Sequence, residues 1–302
     1  MDLSRATTAI AAEQAGQDAF DNALARLRPK LHRYCARMIG SAVDAEDVVQ
    51  EALLKAIEAF QAPAAIANVE AWLFRIAHNT ALDFLRRQSR QQTLSADEDI
   101  TMIADPIDEV HQRQAAAAGL YTFMRLSVSE RSGVILMDVL GYSLEEIRDI
   151  TGSSVPALKA ALHRGRKRLR MAAAEPDNRP PPILSPEERA QLSAYMERFN
   201  SRDFDAIREM LAEDVRLDLV NKTRMEGSKE VGRYFSNYSS VCDWHLQLGF
   251  VDRRPALLVR DRDDSARRPM YFILLSWTGG RVATIRDFRY ARYVTEAAEI
   301  VQ

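Results

Sequence analysis

The first half of the chain repeats apolar positions at the spacing of amphipathic helices. In residues 44–60 one apolar stripe recurs every three or four residues: Val48, Ala52, Leu53, Ala56, Ile57 and Phe60. In residues 71–87, apolar or small side chains fall at positions 73, 76, 77, 80, 81 and 84. Such a stripe buries one face of a helix and leaves the other face for solvent or a partner. The pattern therefore predicts helices throughout this half.

Residues 129–172 have the pattern of a helix-turn-helix. Ser143 and Glu146 form a capping box at the start of a short helix, and Gly152 ends that helix. Ser154 then caps a longer helix, whose buried seam is Val155, Leu158, Leu162 and Leu169. A short helix, a tight turn and a basic helix together suit insertion into a DNA major groove.

The period changes after residue 185. Residues 192–199, 204–211 and 231–238 predict helices, and residues 215–220, 242–251, 255–262, 269–277 and 281–293 predict strands. Thr278-Gly279-Gly280 predicts a tight hairpin between the last two strands. We expect an α+β cone with a curved antiparallel sheet. Residues 175–185, rich in proline, predict an extended spacer in front of it.

Charge is segregated along the chain, although the net charge of the 302 residues is only −2. Residues 157–174 hold six basic side chains and no acidic one, whereas residues 91–118 hold six acidic side chains and one basic. Blocks of opposite sign favour separate surfaces with separate partners, the alternative being two solvated faces.

Cysteine and histidine are sparse, which argues against several classes of site. Cys35 and Cys242 are the only thiols, and the five histidines are scattered. We therefore expect a reducing compartment, no disulfide framework, no metal and no cofactor. The longest apolar stretch, residues 270–277, is too short to span a bilayer, and no leader pattern precedes the first helix, so we expect no membrane partner.

Three segments resemble the extracytoplasmic-function (ECF) sigma factors, the minimal two-domain branch of the sigma-70 family. Residues 44–52 (DAEDVVQEA) resemble the segment that binds core RNA polymerase, and residues 72–79 (WLFRIAHN) with 83–87 (DFLRR) resemble the promoter-melting helix. Residues 138–147 (DVLGYSLEEI) and the helix after them resemble the −35-reading domain.

The resemblance implies three sets of functional residues and two partners, core RNA polymerase and promoter DNA. The polymerase-binding set is Asp47, Gln50, Glu51 and Leu54. The set on the −10 strand is Arg75, His78, Asn79, Asp83, Arg86, Arg87 and Arg90, and the −35 set is Ser153, Ser154, Lys159, His163, Arg164 and Lys167. It also implies a cytoplasmic protein, associated with the nucleoid through RNA polymerase.

The resemblance implies five parts of the chain, in order from the N-terminus. They are a region 2 domain (1–96), an acidic linker (97–119), a region 4 helix-turn-helix domain (120–174), a Pro-rich linker (175–185) and an added domain (186–302). Residues 61–68 occupy the family's base-pocket position, but they are rich in alanine.

The added domain resembles the SnoaL-like (nuclear transport factor 2-like) family in residues 195–215. In some ECF sigma factors a fused domain of this kind regulates activity, which implies contact between it and the sigma domains. The fold also hosts isomerases and cyclases. An alternative is therefore a small-molecule or catalytic pocket at Tyr195, Asp218, Tyr238, Trp244 and Phe250.

Catalysis in this domain would need an acid–base pair, for which His245 and Asp287 are further candidates. Strict alternation in residues 242–251 places His245 on the strand face opposite Trp244. We therefore expect no enzyme activity.

Overall fold

The computed structural model describes residues 3–60, 68–91, 115–116, 118–175, 178–236, 244–261 and 268–302. It divides the chain into two compact units, residues 1–177 and residues 178–302. The first unit is helical and the second combines helices with a sheet, which confirms the predicted fold class. The predicted acidic linker lies almost wholly outside the described residues.

The first unit contains two groups of helices within the described residues. The first group is α1 (Leu3–Ile39), α2 (Ala42–Ala59) and α3 (Val69–Gln91). The second group is α4 (Leu120–Phe123), α5 (Val128–Val134) with a π-helical continuation (Ile135–Val139), α6 (Leu144–Thr151) and α7 (Val155–Ala174).

The apolar stripe of α2 is buried as predicted except at its C-terminal end, where Ile57 is exposed and Phe60 is half-buried. Val48, Ala52, Leu53 and Ala56 are buried against the neighbouring helices. Ile57 was expected in the same stripe, but it is 50% exposed. Ile57 follows Leu54 by three residues, and at 100° per residue the two side chains lie within about 60° of each other on the outer face. Ile57 therefore belongs to the surface of α2.

The helix-turn-helix is confirmed down to its caps. The Ser143 hydroxyl accepts a hydrogen bond from the backbone of Glu146, whose carboxylate accepts one from the Ser143 backbone. Gly152 ends α6 at φ 73°, a left-handed conformation that glycine adopts without a steric cost. Ser154 caps α7.

The second unit packs helices against a mixed seven-stranded sheet. The helices are α8 (Pro186–Asn200), α9 (Phe204–Glu209), α10 (Ser228–Ser236) and α11 (Arg292–Ala297). The strands are β1 (Leu211–Leu219), β2 (Thr223–Glu226), β3 (Trp244–Val251), β4 (Arg254–Asp261), β5 (Tyr271–Thr278), β6 (Arg281–Asp287) and β7 (Ile300–Val301).

The sheet is not purely antiparallel, which corrects the expectation from sequence. Its order is β2-β1-β6-β5-β4-β3-β7, and β1 pairs with β6 in parallel. Neighbouring strands joined by tight turns must run antiparallel, as β5 and β6 do across Gly279 and Gly280. Because β1 and β6 are far apart in sequence, no tight turn constrains their direction.

Part of the predicted spacer belongs to the second unit. Arg179 pairs with Glu299 at 2.9 Å, and the Arg253 guanidinium donates to the Pro180 carbonyl at 2.8 Å. Leu184 is buried in the core of this unit. The predicted spacer, residues 175–185, is therefore packed on the second unit at Arg179, Pro180 and Leu184. Proline favours extended backbone, but it does not prevent that backbone from packing on a domain.

Candidate nucleic-acid interface

One face of α3 carries a row of exposed polar side chains. Its members are Arg75, Asn79, Asp83, Arg86, Arg87 and Arg90, spaced three or four residues apart or adjacent. The opposite face is buried through Leu73, Phe74, Ala77 and Ala81. The Asn68 side chain caps the start of the helix by accepting from the Ala71 backbone at 3.0 Å. This α3 face is thus a rigid, mostly basic surface.

His78 does not lie on the α3 face, which corrects its predicted role. It is 5% exposed, and its Nδ1 is hydrogen-bonded to the Tyr34 hydroxyl at 2.6 Å. Burial lowers the pKa of His78 to about 4, so the ring is neutral near pH 7. Position 78 follows buried Phe74 by one helical turn, which makes the buried stripe wider than the spacing of apolar residues indicated.

Three arginines of the α3 face are already engaged. Arg86 pairs with Asp83 at 3.2 Å, and Arg87 pairs with Glu51 of α2 at 3.0 Å. Arg75 donates from Nε to the Asp149 carbonyl oxygen of α6 at 2.8 Å. Each of these contacts is exposed, so another anion could exchange with them at low cost.

The outer face of α2 combines acidic, polar and apolar side chains. Asp47 and Leu54 are exposed, Gln50 and Glu51 are half-buried, and Ile57 continues the row by one turn. Leu54 and Ile57 are large apolar side chains, 54% and 50% exposed. Sequence reasoning missed Ile57, although its spacing of three from Leu54 was a signal. We call Asp47, Gln50, Glu51, Leu54 and Ile57 the α2 face.

Three arginines of α7 are held by acidic side chains of α5 and of its π-helical continuation. Arg166 is buried and bonds both carboxylate oxygens of Asp138, at 2.6 and 2.9 Å. Glu130, whose side chain is 2% exposed, pairs with Arg164 at 3.2 Å and with Arg168 at 2.8 Å. Arg164, predicted to contact DNA, is therefore a half-buried structural partner of Glu130.

Two lysines of the predicted −35 set remain on the open surface of α7. Lys159 and Lys167 are exposed, and neither joins an ion pair within the part of the chain that the structure describes. His163 and Ser153 are half-buried. The Ser154 hydroxyl accepts from the Ala157 backbone at 3.4 Å as the helix cap. Lys159 and Lys167 are the side chains best placed to meet a phosphate.

Helices α3 and α6 pack against each other within the first unit. The Tyr142 ring, just before α6, meets the Phe74 ring edge-on with centroids 5.1 Å apart. Lys30 lies 4.2 Å from the centroid of Tyr142, whose hydroxyl donates to Glu70. Together with the Arg75–Asp149 contact, these groups form a joint between the two helices.

In the second unit, the predicted pocket residues do not converge. Tyr195 and Trp244 are buried in an aromatic core, against which Phe250 packs. Asp218 lies on the other face of β1, 3.4 Å from Arg224 and 3.6 Å from Arg286, in an outer groove of about 290 Å³. Tyr238 lies outside the described residues.

The candidate acid–base residues are also apart. His245 is exposed on β3, as the alternation predicted. Asp287 is fully buried and accepts from the Tyr234 hydroxyl and, at 2.8 Å, from the Arg289 backbone. These placements correct the idea of one shared site for Asp218, His245 and Asp287.

No described helix has the length and apolar character needed to cross a bilayer. No cluster of three His, Cys, Asp or Glu side chains suited to a metal ion occurs among the described residues.

Residues 24–91, which include α2 and α3, match the family model "Sigma-70 region 2". ECF RNA polymerase sigma factor SigM of Mycobacterium tuberculosis is 34% identical over 161 residues, covering 53% of this chain and 80% of SigM. This chain belongs to the ECF RNA polymerase sigma factor family. ECF sigma factor SigG of the same organism is 31% identical over 208 residues, covering 61% of this chain and 56% of SigG.

Among solved structures, this ECF sigma factor is similar to the M. tuberculosis ECF sigma factor SigJ. The two align over 87% of this chain and 93% of SigJ, with 20% identity and a TM-score of 0.34. The helices and curved mixed sheet of the second unit are consistent with the predicted SnoaL-like cone.

Proposed function

We propose that this ECF sigma factor binds core RNA polymerase and directs it to promoters. In this proposal the α2 face binds polymerase, the α3 face holds the separated −10 strand, and α7 binds the −35 duplex. The observation that carries the proposal is the position of the family match, because residues 24–91 include both the α2 face and the α3 face.

The chemistry of the α2 face suits a basic protein partner. Asp47 and Glu51 supply carboxylates, while Leu54 and Ile57 supply exposed apolar area. A few large side chains that become buried at the centre of an interface dominate its affinity. Leu54 and Ile57 are the expected anchors, with the acidic side chains steering the approach.

The chemistry of the α3 face suits a single strand. Arg75, Arg86, Arg87 and Arg90 offer cations to successive phosphates, and Asn79 offers both a donor and an acceptor. His78 contributes to the core that holds the helix rigid. On α7, Lys159 and Lys167 offer charges to the phosphates of a duplex.

The packed joint between α3 and α6 implies that the first unit opens before it binds a promoter. The −10 and −35 elements are about 25 base pairs apart, on the order of 80 Å along B-DNA. Helices α6 and α7 belong to one helix-turn-helix. If α7 binds the −35 element while α3 binds the −10 strand, α6 cannot keep its contacts with α3 through Arg75 and Tyr142. We therefore propose that polymerase or promoter binding separates the two helix groups.

The role proposed for the second unit is regulation of this opening in cis. The unit has its own hydrophobic core, and Arg179, near its start, pairs with Glu299 inside the same unit. Glu175, four residues earlier, pairs with Arg125 inside the first unit, so the tether between the two units is short. No catalytic role is proposed for it. Contact of this unit with the sigma domains and the binding of a small molecule stay hypotheses.

The test is binding to purified bacterial core polymerase. We expect the full chain to bind, Leu54→Asp to weaken binding at least about tenfold, and a chain ending at Asp177 to differ from the full chain. Absence of core binding would overturn the proposed function. Identical affinity and identical transcript yield for the full and shortened chains would overturn only the regulatory role.

A further inference from the structure

One ion-paired carboxylate lies between the α2 face and the α3 face. Glu51 belongs to the polymerase-binding set, and its Oε2 pairs with Arg87 of the −10 set at 3.0 Å. Its Oε1 pairs with Lys55, one turn along α2, at 2.8 Å. Each oxygen of the Glu51 carboxylate therefore has a cationic partner, one on α2 and one on α3.

The pair is exposed enough to exchange partners. The side chains of Arg87 and Glu51 are 58% and 38% exposed. Hydrogen bonds from Lys55 and then Arg87 lower the pKa of Glu51, although partial burial opposes them. The carboxylate is thus ionised near neutral pH, and it attracts whichever cation lies closest.

Competition follows from the geometry. A cation of polymerase that bonds Oε2 of Glu51 lies close to the Arg87 guanidinium, and the repulsion between the two cations disfavours binding of both at once. A phosphate can take the full charge of Arg87 only when Glu51 no longer neutralises that charge. Binding at either face therefore removes the competitor of binding at the other.

We propose that Glu51 is a positioning residue that restrains Arg87 until polymerase docks, so that docking favours capture of the −10 strand. This inference rests on the proposed function of the two faces. Linkage requires the effect to be reciprocal: strand binding also releases Glu51 for polymerase. Exposed ion pairs are weak, so the coupling should be roughly two- to fivefold in affinity.

The first arm of the test measures strand binding by the full chain without polymerase. The probe is a fluorescent oligothymidylate of about 15 nucleotides at low salt, where exposed charges are screened least. We expect Glu51→Gln to tighten binding roughly two- to fivefold. Glu58→Gln, an exposed position two turns further along α2, is the control for the loss of one negative charge.

A double-mutant cycle then assigns the effect to the pair. In an Arg87→Gln background, Glu51→Gln should tighten binding no more than Glu58→Gln does. If Glu51→Gln and Glu58→Gln act equally in the wild-type background, or if the gain persists without Arg87, the proposal is wrong.

The second arm measures core polymerase binding without DNA. Arg87→Gln should raise the affinity roughly two- to fivefold because it releases Glu51, whereas Arg33→Gln, at an exposed position of α1 outside both faces, should not. Equal affinities for these two variants would contradict the proposal even if strand binding is too weak to measure. If the wild-type chain fails to bind polymerase at all, the proposed function fails instead, and the strand cycle still reports on the Glu51–Arg87 pair.

Discussion

Helices α3 and α7 both carry arginines toward proposed DNA surfaces, but they hold them differently. On α3, Arg86 and Arg87 pair with side chains that are 52% and 38% exposed. On α7, Arg164, Arg166 and Arg168 pair with carboxylates that are at most 2% exposed. Exposed pairs exchange readily, whereas a buried carboxylate that loses its partner is left as an uncompensated charge. Three of the six basic side chains of α7 are therefore structural, whereas the arginines of the α3 face can exchange their partners.

The largest difference should appear in stability. Replacing Arg166 by methionine leaves the Asp138 carboxylate buried without its bidentate partner, which should lower the unfolding free energy of the first unit by about 3–5 kcal/mol. Arg168→Met, on the same helix, leaves Glu130 paired with Arg164 and should cost about 1 kcal/mol or less. Urea unfolding followed by far-UV circular dichroism compares the two variants. Equal losses would contradict the claim that the cost comes from leaving a buried carboxylate without any cationic partner.

The next effect is a pH dependence that arises from two buried histidines, His78 of α3 and His32 of α1. Burial lowers the folded-state pKa values of His78 and of His32 to about 4, below the usual histidine value of about 6.5. The unfolded chain therefore takes up protons first as the pH falls, and stability should drop between about pH 6.5 and pH 4 by about 3 kcal/mol for each histidine. Above that window the two groups contribute no slope.

The variant that checks this is His78→Asn, whose side-chain oxygen can still accept from Tyr34. It should remove about half of the acid-induced loss of stability and leave oligothymidylate binding within about twofold of wild type, because position 78 is buried. If His78→Asn weakened strand binding tenfold and kept the wild-type pH profile of stability, His78 would be a strand-binding residue and its assignment to the core would be wrong.

A smaller effect should come from the joint between α3 and α6. Tyr142→Phe keeps the ring against Phe74 and Lys30 but removes the hydrogen bond to Glu70, at a cost of roughly 1 kcal/mol. If the joint competes with promoter binding, this variant should bind oligothymidylate up to about fivefold more tightly. Tyr290→Phe, at an exposed tyrosine of the second unit, is the control for the loss of one phenolic hydroxyl and should change nothing. Equal behaviour of the two variants would mean that the joint does not compete with the strand.

Local features of this chain could be predicted from its sequence, because each depends on neighbouring residues. The capping box at Ser143, the left-handed stop at Gly152 and the hairpin at Gly279 and Gly280 are of this kind. Each is fixed by backbone groups within four residues, which the sequence displays directly.

Features that depend on distant partners could not be predicted in the same way. His78 lies at the border of the α3 stripe, and only the Tyr34 hydroxyl from α1 shows that it is buried. Arg164 faces outward by periodicity, but Glu130 holds it. The parallel pairing of β1 with β6 and the packing of the segment from Arg179 to Leu184 also depend on residues far along the chain.

The most direct test of two separate reading helices is transcription from a random DNA library by core polymerase with this chain. Sequencing the upstream DNA of the transcribed molecules should reveal two enriched elements. Lys159→Ala with Lys167→Ala should weaken dependence on the upstream element alone, and Asn79→Ala should relax the downstream element alone. Absence of any enriched element, or loss of the same element in both variants, would contradict the account.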